Sequence, residues 1–233
     1  MKTQRILPVL TFALALAGAA GDKTAPPDIV TLPEIDFPTQ LQHRGVTMGE
    51  VHVLVKIGPD ARLIDALVTA YTHKAFADAT LAALPQSTFR PRQVDGQPVT
   101  TLTELVVRFE TRGMLVDERF GRDSANLQPG QFAYQPCNPG QLDRPLQPIK
   151  AQSPVYPLEL KQQGVSGSVV LEYYVDESGR VRMPVVSSAA NDILADLSLQ
   201  AVEQWQFHPP SSQSQPVLVR VRQRFDFAPP KPG

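Results

Sequence analysis

Three arginines near the end of the chain, Arg220, Arg222 and Arg224, alternate with Val219, Val221 and Phe225. Period-two alternation places guanidinium groups on one side of a strand and apolar groups on the other. The chemistry on offer is recognition of an acidic partner. A solvated sheet face whose charges deter edge aggregation accounts for the same pattern. Other reactive residue types lack a context. His43, His52, His73 and His208 have no ligand spacing, so no metal is expected. Cys137 is the single cysteine, so it is either an idle thiol or a link to a second chain. There is no Gly-x-Ser-x-Gly elbow and no phosphate-cradling glycine loop, so catalysis is not expected.

The arginines need a strand, and the residues before them supply the elements to hold it. Tyr156-Pro157 followed by Leu158 to Gln163 and Gly164 reads as a short helix opened by proline and closed by glycine. Val169, Leu171, Tyr173 and Val175 form the apolar side of a strand, and Asp176-Glu177-Ser178-Gly179 turns it into a second strand from Arg180 to Ser187. Asn191 or Asp192 caps a helix whose Leu194, Leu197, Ala201, Val202 and Trp205 fall on one face. Pro209 and Pro210 stop it, and the last strand runs from Val217 to Phe227. Tyr173 and Trp205 are expected in the core. The order helix, strand, strand, helix, strand predicts an α+β unit: a three-stranded antiparallel sheet with two helices on one face.

The pattern occurs twice. Residues 37–109 can be laid on residues 156–227 with one slip: Gly49, Val51, Phe89 and Pro91 fall on Gly167, Val169, Phe207 and Pro209, and Gln97-Pro98-Val99 falls on Gln215-Pro216-Val217. Such self-similarity reads as one supersecondary unit copied. Ser87 stands where the second copy has Trp205, so the first copy is expected to be less stable or supported by other contacts. Between the copies, residues 111–150 are rich in Pro and Gly and read as a linker, part of which, around Phe120, Phe132 and Tyr134, is apolar enough to lie against a unit. Residues 21–36 read as an extended lead-in, and 229–233 as a tail.

The first twenty residues combine Lys2 and Arg5 with an apolar run, Ile6 to Leu16, that ends in Ala17-Gly18-Ala19-Ala20. That is the pattern of a secretory signal peptide. The run is short of the roughly 20 apolar residues that cross a bilayer, so an uncleaved inner-membrane anchor is the weaker alternative. Removing the segment leaves about 20 basic residues against 23 acidic ones, a balance with no general attraction for nucleic acid.

Tyr156-Pro157, Gly164, Gly167, Asp176, Gly179-Arg180-Val181, Trp205-Gln206-Phe207-His208-Pro209, Pro216-Val217 and Phe225 together resemble the TonB C-terminal domain over residues 151–228. The first copy, 37–110, resembles it more weakly through Phe37-Pro38, Gly45, Gly49, Asp60, Phe89-Arg90-Pro91 and Pro98-Val99. The resemblance implies a periplasmic module whose last strand is an exposed edge. In that family the edge accepts an extended segment, the TonB box, from an outer-membrane receptor by β-strand addition, in TonB-dependent transport. Unpaired N–H and C=O groups on an edge are a template for another strand. Carried over, the peptide-binding strand is Val217, Leu218, Val219, Arg220, Val221, Arg222, Gln223, Arg224 and Phe225. The segment holding Gln152, Pro154, Tyr156 and Pro157 corresponds to the one beside the receptor.

The chain departs from full-length energy transducers in lacking a long Pro-Lys and Pro-Glu spacer and a convincing membrane-spanning segment. The expectation is therefore a periplasmic TonB-like binding protein, present as tandem modules, with no cofactor. The alternative is a structural or assembly protein that forms a homodimer through its sheet edges, with no receptor binding.

Overall fold

The structure is a computed structural model that describes residues 28–111 and 132–228. The expected export segment at 1–20, the first part of the linker and the 229–233 tail lie outside the described residues. Two compact units meet in the sequence between Gln135 and Pro136. No helix among the described residues is long and apolar enough to cross a membrane.

The first unit comprises β1 (Asp28–Thr31), α1 (Thr39–Gln42), β2 (Met48–Ile57), β3 (Leu63–Tyr71), α2 (Lys74–Ala83), β4 (Thr88–Arg90), β5 (Gln93–Val94), β6 (Gln97–Pro98) and β7 (Thr101–Glu110). Its main sheet has the order β3-β2-β7, antiparallel throughout. Val51, Val53, Val55 and Ile57 of β2 are wholly buried with Phe76 of α2, as their alternation and the helical spacing require. Gly49 is needed here because a Cβ would stand 2.0 Å from the Phe76 ring. Phe76 lies 5.0 Å from Phe37 and 4.5 Å from Phe109, ring centroid to ring centroid. This three-ring cluster is the support that the first copy has in place of a tryptophan. The Ser87 hydroxyl donates to the Ala83 carbonyl at 3.1 Å and its N–H to the Leu84 carbonyl at 3.0 Å.

The second unit comprises β8 (Pro148–Lys150), α3 (Leu158–Gln162), β9 (Gly167–Val175), β10 (Val181–Ala189), α4 (Asp192–Glu203), β11 (Gln206–Phe207), β12 (Ser211–Ser212), β13 (Gln215–Pro216) and β14 (Val219–Phe227). Its sheet has the order β10-β9-β14. The Asn191 side chain accepts from the Leu194 N–H at 3.1 Å and caps α4. The inward face of α4 is Leu194, Ala195, Ser198 and Val202, rotated from the expected one. Leu197 and Ala201 flank it, and Trp205 is half-buried at the rim of the core. Tyr173 is buried as expected.

Both units carry features that the strand and helix periods do not announce. In each, a short strand before the module pairs with the short strand after its second helix: β1 with β4, and β8 with β11. The repeated Gln-Pro-Val closes a small hairpin in each copy, β5-β6 and β12-β13. The central pairs, Asp95-Gly96 and Gln213-Ser214, all have positive φ, the backbone of a tight hairpin turn that follows the strand twist.

The stretch 111–150, expected as a linker, is tied down wherever it is described. In the first unit the Ala133 N–H donates to the Tyr71 carbonyl at 2.9 Å, the Tyr71 N–H donates to the Tyr134 carbonyl at 3.1 Å, and the two tyrosine rings stack at 5.0 Å. In the second unit Asp143 accepts from the Gln213 and Ser214 N–H groups at 2.8 and 2.9 Å and from the Ser211 hydroxyl at 2.9 Å. Those bonds, the Ser214 N–H first, hold its carboxyl below the usual range.

Candidate functional site: the edge of β14

The turn before β10 fixes the frame on which β14 lies. The Asp176 carboxylate accepts from the N–H groups of Ser178 and Arg180, each at 3.0 Å, and from the Ser178 hydroxyl at 2.6 Å. Burial pushes this carboxyl up, but those bonds and the nearby Arg180 charge outweigh it, and the pKa lies below its ordinary value. Gly179 has φ +84, and a Cβ there would stand 1.9 Å from the Phe207 carbonyl oxygen. The turn and β11 are thereby held together through glycine, and the Phe207 N–H donates to the Gly179 carbonyl at 2.8 Å.

β14 pairs with β9 from Val219 opposite Val175 to Phe227 opposite Gly167, and ends the sheet. Val219, Val221 and Phe227 are buried, and Phe225 meets Trp205 edge to face at 5.7 Å. Gln223, on the same side, is half-buried. Arg220, Arg222 and Arg224 are exposed on the other face. Arg220 donates to Glu172 at 2.6 Å and Arg224 to Asp226 at 2.8 Å. Arg222 has no carboxylate within ion-pair distance among the described residues. Ahead of the strand, the Val217 N–H donates to the Pro210 carbonyl at 3.1 Å, and Leu218 is wholly buried.

The free side of β14 is not open along its whole length. The Cys137 N–H donates to the Leu218 carbonyl at 2.8 Å, and the Arg220 N–H donates to the Cys137 carbonyl at 3.0 Å. This is one parallel bridge, Cys137 opposite Val219. Since Arg220 turns its N–H outward, the period of two turns the backbone groups of Arg222, Arg224 and Asp226 outward as well. No strand meets these three among the described residues. The Gln223 side-chain amide donates to the Arg224 carbonyl at 2.9 Å. The other edge of the sheet is interrupted, because Pro184 lies in β10 beside Met183, whose φ is +50, where the register slips.

The segment expected beside a partner is partly gathered around this strand. The Gln152 carbonyl accepts from Trp205 Nε1 at 2.8 Å, and the Tyr156 ring meets Phe227 edge to face at 5.5 Å while its hydroxyl donates to the Val165 carbonyl. Pro154, between them, and Pro157, at the start of α3, are half-buried. Gln152, Ser153 and Val155 face Leu197, Ala201 and Trp205 across a shallow groove on α4.

The equivalent strand of the first unit, β7, also ends its sheet. Its outward face carries a network that sequence spacing does not reveal. His52 Nε2 lies 2.7 Å from Glu50, His52 Nδ1 lies 3.2 Å from Glu104, and Arg108 Nε donates to the second Glu50 oxygen at 3.0 Å. The Phe132 ring meets the His52 ring edge to face at 5.1 Å. The Glu104 bond raises the His52 pKa against the effect of burial, and Glu50 adds to it. Burial pushes Glu50 up, but His52 and Arg108 outweigh it and lower its pKa.

Comparison with known proteins adds identity to this geometry. The family described as "Gram-negative bacterial TonB protein C-terminal" matches residues 33–111 and 152–229. The Protein TonB of Vibrio cholerae serotype O1 (strain ATCC 39315 / El Tor Inaba N16961) is 29% identical over 81 residues, which span 34% of this chain and 33% of that protein. The solution NMR structure of the Pseudomonas aeruginosa TonB CTD is 25% identical, covering 38% of this chain and 90% of that one with a TM-score of 0.33. The family match includes most of the chain in two separate stretches, and the chain belongs to the family of Gram-negative TonB C-terminal domains, which it carries in tandem.

Proposed function

We propose that the second unit docks an extended segment of an outer-membrane receptor along β14, by β-strand addition, in TonB-dependent transport. The observation that carries this reading is the row of outward backbone groups at Arg222, Arg224 and Asp226, which no strand meets among the described residues, on a sheet whose opposite edge is broken by Pro184. Arg222 favours a segment with a carboxylate on its exposed side. The first unit supports the second or offers another edge at β7. The role is binding and not catalysis, in a periplasmic protein exported by its N-terminal segment.

The test is titration of the full-length chain with a synthetic peptide of TonB-box sequence, with the backbone amides of 217–227 followed by NMR. Shifts centred on Arg222 to Phe227 are expected. No shift with peptide in large excess would remove the reading. Shifts that depend on protein concentration alone, with a dimer in sedimentation, would replace receptor docking by self-assembly. The mass of the mature protein tests cleavage of the export segment.

A further inference from the structure

We propose that the Pro136–Asn138 segment is a built-in competitor for the β14 edge, which an extended partner must displace to pair along the whole strand. This rests on the docking reading of β14. The segment already makes the contacts that strand addition would make: Cys137 donates to the Leu218 carbonyl and accepts from the Arg220 N–H. It therefore covers the first outward rungs, while no strand among the described residues lies beside Arg222 to Asp226.

The pairing is confined to one bridge for a local reason. In a parallel ladder the next residue to donate would be 139, two along from Cys137. Residue 139 is a proline and has no N–H. It opens a single 3₁₀ turn, Pro139–Gln141, in which the Asn138 N–H donates to the Gln141 side chain at 2.8 Å. The segment thus cannot zip further along β14 in competition with a partner. It cannot drift away either. Beyond the turn, the Asp143 N–H donates to the Ser211 carbonyl at 2.9 Å, and the Asp143 carboxylate holds the β12-β13 hairpin. Two backbone hydrogen bonds held at high local concentration form a contact that closes readily and yields to a longer strand. Because both bonds are backbone bonds, the thiol has no part in them.

The experiment uses the full-length chain, the same TonB-box peptide, and two variants. Cys137→Ser preserves the backbone contact. Cys137→Pro removes its donor and puts a ring where the N–H meets the Leu218 carbonyl. Without peptide, the Arg220 N–H is expected to exchange slowly with solvent and the Arg222 N–H fast, with Arg220 joining Arg222 in Cys137→Pro. Peptide affinity should rise roughly tenfold in Cys137→Pro, the equivalent of one to two net hydrogen bonds, and stay unchanged in Cys137→Ser. Saturating the wild-type chain should release the Cys137 N–H to fast exchange, a readout that needs no substitution. Peptide binding that leaves the Cys137 N–H protected, or equally fast exchange of Arg220 and Arg222 in the free wild type, overturns the competitor and leaves docking standing. Failure of the peptide to bind any variant overturns both.

Discussion

Trp205 is less a core residue than a clasp on the rim of the core. Its ring lies edge to face against Tyr173, Phe207 and Phe225, and its Nε1 donates to the Gln152 carbonyl. With the ring only partly buried at the rim of the core, Trp205→Ala is expected to cost about 2–3 kcal/mol, below the range for a fully buried aromatic, and Trp205→Phe about 1 kcal/mol for the lost hydrogen bond. Urea midpoints of the second unit followed by circular dichroism check this. His52 offers a residue-scale test of electrostatics in the first unit. Its pKa is raised above the ordinary 6.5, so the stability it contributes is complete below about pH 6.5 and is lost as pH rises through the folded-state pKa. His73 acts in the opposite sense: burial and the nearby Arg44 charge lower its pKa, and its Nδ1 is buried without a partner among the described residues. The wild-type profile mixes the two, so the difference between wild type and His52→Gln isolates one. Wild type should be more stable than His52→Gln at pH 6 by a margin that shrinks at pH 8. A margin that grows with pH would contradict the clamp between Glu50 and Glu104.

At the scale of elements, the direction of each N–H in β14 separates folding from docking. Odd-numbered residues from Val219 to Phe227 turn toward β9, and even-numbered ones turn outward. Proline at an outward N–H on an edge strand removes no ladder bond, whereas at an inward one it removes a bond and clashes. Arg222→Pro is therefore expected to cost about 1 kcal/mol or less and to abolish peptide binding. Gln223→Pro should cost about 3 kcal/mol or more and unfold the second unit. Equal effects on stability, measured by urea titration, would mean that β14 pairs with β9 in another register. The alternation that reveals this strand was legible in the sequence, because a buried face imposes a period of two on side chains. So were the Asp176 to Gly179 turn and the Asn191 cap, whose residue types follow from local backbone needs. The apolar stretch at Phe132 and Tyr134 announced a contact, though not its partner Tyr71. The Cys137 bridge was not legible, since it is a single rung between backbone groups and leaves no side-chain pattern. Nor was the Gln213-Ser214 turn, which adopts positive φ with neither Gly nor Asn. The His52 network depends on Glu104, 52 residues away, and only the pairing of β2 with β7 brings them together.

For the molecule as a whole, duplication preserved a frame and let each copy fill it differently. Leu194 of the second unit takes the place of Phe76 in the first, and Trp205 takes the place of Ser87. Each unit closes its own apolar core: one around Phe37, Phe76 and Phe109, the other around Tyr173, Leu194 and Phe227. Separate cores predict separate unfolding transitions. The single tryptophan lies in the second unit, so its fluorescence follows that unit alone, while far-ultraviolet circular dichroism sees both. Leu194→Ala removes a wholly buried side chain and is expected to cost about 2–5 kcal/mol, moving the transition seen by tryptophan. His52→Gln should move the other transition in circular dichroism and leave the fluorescence midpoint in place. If either substitution moves both midpoints together, the two units unfold as one cooperative body, and the edge of β14 would then have to be treated as coupled to the first unit.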